Sequence, residues 1–102
     1  MRSNDKTQEV ILQAKHVRRE TEDVLLAALR TALKAVSTMC VLAEREAGEE
    51  QARHLQQAET GLGAVARMAK GVRLTQQDRD AMAQVRRAVL SLQEKAEPLP
   101  RH

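Results

Sequence analysis

The sequence predicts an all-α protein, a three-helix antiparallel bundle or coiled coil with a long first helix. Three observations carry that expectation. The 102-residue chain has no Phe, Trp or Tyr, so Ala, Leu, Val and Met must build the core. Ala, Leu, Glu, Gln, Arg and Lys, in which it is rich, favour helix, whereas the aromatic residues that favour strands are missing. Apolar residues recur at three- and four-residue steps along three segments, separated by glycine-bearing turns.

The first helix is expected over about 5–47. Asp5 can cap it, with Gln8 at the third position of a capping box, and no Gly or Pro occurs from Asp5 to Ala47. Its second half carries a heptad row, Leu25, Leu29, Ala32, Val36, Met39 and Ala43, flanked by Leu26, Leu33 and Cys40. Its first half is thinner. Val10, Val17 and Val24 recur every seven residues beside Ile11 and Ala14, among many charged side chains. A narrow stripe flanked by charge is the pattern of a coiled-coil seam.

The second helix is expected over about 49–70, with the seam Ala52, Leu55, Ala58, Leu62, Val65 and Ala69. Continuing the first seam by heptad steps reaches Glu46, Glu50, Arg53 and Gln57, so the helices must break near Gly48. Gly61 and Gly63 fall inside this helix. They either permit close helix approach or make it the soft element. The third helix is expected over about 76–96. Thr75 caps it with Asp78 in a second capping box, and its seam is Met82, Val85, Val89, Leu92 and Ala96, with Ala81, Ala88 and Leu90 beside it. Gly71 is expected to provide the stop before it. Pro98 and Pro100 should end the third helix and leave 98–102 as a disordered tail.

Helices two and three are nearly equal in length and joined by a short turn, so they should lie antiparallel. The second half of helix one completes the bundle. Residues 1–97 then form one helical domain, in which 5–24 overhang as a candidate coiled-coil or partner-binding segment. The sequence leaves open whether helix one runs straight or folds back near Arg19–Thr21. An aromatic-free core buries little area per residue, so association should supply the missing burial.

The composition excludes several function classes. No CxxC and no i, i+4 histidine pair exists, so no metal or other cofactor is expected. Gly61 and Gly63 follow no strand, which removes a dinucleotide loop. Cys40 on an apolar face reads as a small buried hydrophobe, and Met39, Met68 and Met82 read as core. Nothing suggests an enzyme. The single cysteine suits a reducing, cytoplasmic setting. The N-terminal "MRSNDKTQEV" lacks an apolar segment, and no run of eighteen apolar residues occurs, so neither a signal peptide nor a membrane span is expected.

Net charge is only +3, but it is polarised. Glu44, Glu46, Glu49, Glu50 and Glu59 cluster around the first turn. Arg67, Lys70, Arg73, Arg86 and Arg87 cluster around the second, making it a candidate anion or nucleic-acid contact. Ordinary solvated ends account for this polarity as well as a docking surface does. The segment "ARMAKGVRLTQQD" suggests a helix-turn-helix, but with the turn glycine at Gly71 the small-residue position holds Arg67, and the apolar anchors are Gln77 and Asp80. Moving the frame one residue back puts Lys70 at the glycine position and Gln76 and Arg79 at the anchors. Asp78 and Asp80 at the start of helix three would also repel phosphates.

These readings favour a small cytoplasmic interaction protein: adaptor, regulatory inhibitor, assembly subunit or secretion chaperone. It would associate with itself or another helical protein through Ile11, Ala14, Val17 and Val24, with Arg18 and Arg19 setting partner choice. The alternative is a nucleic-acid-associated regulator using the basic end.

Overall fold

A computed structural model describes residues 2–96, with side chains from residue 8 onward. It is an all-α three-helix bundle with a long first helix, built from α1 (Arg2–Arg45), α2 (Gly48–Ala69) and α3 (Gln76–Lys95). α1 starts earlier than the Asp5 cap implies, and runs unbroken through Arg19–Thr21. The Asp5 side chain and the expected tail at 98–102 lie outside the described residues.

α1 ends at Arg45 rather than at Ala47. Ala47 is extended (φ −140°, ψ 162°), and Gly48, at φ +68°, opens α2 in the left-handed region that side chains disfavour. Two side chains fasten this corner. Gln51 Nε2 donates to the Ala43 carbonyl at 2.9 Å, capping the end of α1, and His54 Nδ1 meets Glu46 Oε2 at 2.5 Å.

The second corner is built differently. α2 ends at Ala69, and Gly71 does not adopt positive φ, so it supplies no left-handed stop. Val72 and Leu74 instead turn inward and pack on the core. A Cβ placed on Gly71 would meet Leu25 Cδ1 at an ordinary 3.8 Å. This contact marks where the bundle begins on α1.

The core has two layers. Leu29, Leu33 and Val65 lie toward the 70–75 corner, while Val36, Cys40, Ala43, Leu55, Ala58, Val89 and Leu92 lie toward the 46–47 corner. Val85 packs against both. Met39, Met68 and Met82 are half-buried against these layers. The expected seams hold except at their edges, since Ala52 and Leu90 are exposed. Gly61 gives α1 and α2 close approach, because a Cβ there would lie 2.6 Å from Val36 Cγ2. Gly63 faces open space.

The molecule is elongated, 76 × 28 × 16 Å, with a radius of gyration of 20.0 Å. A compact chain of this length has a radius of about 13 Å. α1 also contains an 18-residue stretch of mean hydropathy 1.6, long and apolar enough by composition to cross a membrane. The run-of-eighteen criterion passed over it because Arg30 and Lys34 interrupt it. In the bundle this stretch supplies Leu29, Leu33, Val36 and Cys40 to the core.

Candidate interaction surface

The first half of α1 projects past the bundle. From Gln8 to Thr21 every residue is exposed, and Leu25 lies beside Gly71 of the 70–75 corner. Val10, Leu12, Val17 and Val24 are 58–68% exposed, and Ile11 is 48% exposed. A helix in water owes most of its stability to packing of an apolar face. Here that face has no partner among the described residues.

The residues expected to bind a partner do not all share one side. At about 100° per residue, Val10, Ala14, Val17 and Val24 form one stripe. Ile11 and Arg18 flank it about a quarter-turn away. Arg19 is two residues past Val17 and points to nearly the opposite side, as Leu12 does relative to Val10. Thr21 lies on the stripe, and its hydroxyl donates to the Val17 carbonyl at 2.8 Å.

The basic residues divide as well. All five are exposed, and none pairs with a carboxylate among the described residues. Arg67, Lys70 and Arg73 gather at the 70–75 corner. Arg86 and Arg87 sit about 15 Å along α3 from its start. Arg86 lines a groove of about 610 Å³ between α2 and α3, with Leu62, Ala66, Met82, Val89 and Leu90. Gly63, open to solvent, leaves that groove unfilled.

Asp78 requires a correction. The sequence reading places it as a phosphate-repelling surface charge, yet it is buried, only 7% exposed. It closes the expected capping box, accepting from the Thr75 N–H at 3.1 Å while the Thr75 hydroxyl accepts from the Asp78 N–H. It also forms a bidentate pair with Arg30, from Nε at 2.9 Å and Nη2 at 3.1 Å. Arg30 above all, then the Thr75 donors, hold its carboxyl well below the usual carboxylate range. Charge alignment between Arg30 and Asp78 has no local spacing signal, because 48 residues separate them.

The acidic end is likewise reduced, since Glu46 is engaged by His54. Cys40 is buried, and its thiol is pushed up by desolvation and then by Glu44. No cluster of His, Cys, Asp and Glu that could hold a metal occurs among the described residues.

No protein-family model matches this chain, and no curated protein or solved structure is significantly similar to it.

Proposed function

We propose that this chain is a non-enzymatic protein–protein interaction module acting through the apolar side of the α1 overhang. One observation carries the reading: Val10, Val17 and Val24 stand exposed at heptad spacing on the half of α1 that projects past the bundle. Isolated exposed apolar residues are ordinary, but a contiguous apolar stripe marks an interaction site. Adaptor, regulatory inhibitor, assembly-subunit and secretion-chaperone roles all use such a face, and a cytoplasmic setting suits them. The test is Val17→Asp with Val24→Asp in affinity co-purification. The unaltered chain should retain a specific partner, itself or another helical protein, and the double variant should lose it while keeping its far-UV helicity. Equal retention by both chains removes the reading.

A nucleic-acid-associated role is the second reading, favoured by Arg67, Lys70 and Arg73, exposed at one corner and unpaired among the described residues. Binding to DNA should then fall steeply between low and moderate salt, and weaken on Arg67→Ala with Arg73→Ala. Absence of binding at low salt eliminates it.

A further inference from the structure

The valine stripe does not stop where the bundle begins. Alternating steps of four and three carry it from Val10 through Ala14, Val17, Thr21, Val24, Ala28, Thr31 and Ala35 to Thr38. All nine residues are exposed and none is charged, in a chain that is 30% charged. Over the bundle the stripe is distinct from the core face: Ala35 precedes buried Val36, about 100° around the helix. The Thr21 and Thr38 hydroxyls donate to the Val17 and Lys34 carbonyls at 2.8 and 3.0 Å, so burial leaves those two donors satisfied.

The stripe is large at one end and small at the other. Its first half holds three valines, and its second half only Ala and Thr. Two such stripes complement each other only when antiparallel. Aligned about a two-fold axis between Thr21 and Val24, Val10 meets Ala35, Ala14 meets Thr31, Val17 meets Ala28, and Val24 meets Thr21 of the second copy. Val10 and Val17 then each face an alanine, and Val24 faces the valine-sized Thr21 beside the axis. A parallel pair would stack valine on valine at one end and leave a gap at the other.

The charges at the two ends of one flank agree. Beside the valine half this flank carries Glu9, Glu20 and Asp23, and beside the small half Arg30 and Lys34. Antiparallel pairing brings Glu9 level with Lys34 of the other copy at each end of the contact. Glu20 and Asp23 sit near the axis beside the other copy's Asp23 and Glu20, with Glu20 paired to His16 and Arg30 to Asp78 within their own copy. The chain also carries surface in excess of a compact fold. The chain exposes 8414 Å², against about 5,800 Å² for a compact monomer of its mass. A stable interface buries about 1,600 Å² in total.

We infer that the partner of α1 is a second copy of this chain, bound antiparallel along the Val10–Ala35 length of the stripe to give a two-fold symmetric dimer. This rests on the overhang being an interaction face, and the experiment separates the two ideas. Sedimentation equilibrium of the unaltered chain should give twice the 11.4 kDa chain mass. Ala28→Glu with Ala35→Glu, both outside the overhang and outside the core, should return the mass to one chain with helicity kept. In a Cys40→Ala background, Val17→Cys mixed with Ala28→Cys should form the mixed disulfide, and Val17→Cys alone should not cross-link. A dimer that survives the Ala28/Ala35 charges, or Val17 cross-linking to itself, overturns the antiparallel register. A monomeric chain overturns self-pairing altogether. If that monomer still loses a different partner on Val17→Asp with Val24→Asp, the interaction-module reading stands without it.

Discussion

At the scale of single residues, the glycines are the most informative positions. Gly61 and Gly63 lie two apart on one helix and have opposite requirements. Gly61→Ala drives a Cβ to 2.6 Å from Val36 Cγ2, and parting α1 from α2 should cost about 1–3 kcal/mol. Gly63→Ala meets nothing within 4 Å and should gain up to about 1 kcal/mol from helix propensity. Urea denaturation of both variants checks the pair, and equal effects would contradict the close approach. Gly48→Ala should cost about 1–2 kcal/mol, because among the described residues only Gly48 has positive φ. Both interior glycines were visible in the sequence. Which of them faced a neighbour was not, because helical spacing says nothing about where Val36 on another helix will fall.

At the scale of elements, α3 is held to α1 by Arg30 and Asp78 as well as by apolar packing. Asp78 is thus both the cap of its own helix and the anchor to another. Its carboxyl is depressed in the folded chain, while an unfolded aspartate titrates near about 3.9. A depressed folded value contributes stability that is full above the unfolded value and is lost as pH falls through it toward the folded one. Asp78→Ala should therefore lower Tm clearly at neutral pH. The gap between variant and parent should narrow below about pH 4, where thermal melts across pH would detect it. The Thr75–Asp78 capping box was legible because its two members are three residues apart. The pairing with Arg30 was not, since only the folded bundle brings α1 beside the start of α3. The same limit explains why Leu90 could be read as seam-flanking yet stands exposed at the rim of the α2–α3 groove.

At the scale of the whole molecule, the number of helices, their order and the length of the first followed from apolar spacing and from Gly48. The missing aromatic residues pointed to a small core, and among the described residues only Leu29 and Val65 are large side chains with essentially no exposure. The overhang was legible from the mismatch in helix lengths. Its continuation as a stripe over the back of the bundle was not, because Ala28, Thr31 and Ala35 carry no hydrophobic signal of their own. Self-association has a thermodynamic signature at this scale. A ligand that binds only the folded form raises its stability, and here the ligand is the protein. A hundredfold rise in chain concentration through the dimer's Kd should raise Tm by several degrees, read by circular dichroism. A concentration-independent Tm would count against the dimer.

The two corners of the bundle also differ in what they would tolerate. The 70–75 link sends Val72 and Leu74 inward, so it acts as a stopper closing one end of the core. The 46–47 link sends no apolar side chain into the core, since Ala47 is exposed, and it is fastened by Gln51 and His54. An inserted sequence at Ala47 would lengthen an exposed connection, whereas one beside Val72 would pull the stopper out. The acidic corner is therefore where this chain can be opened, extended or fused to another protein with its fold intact.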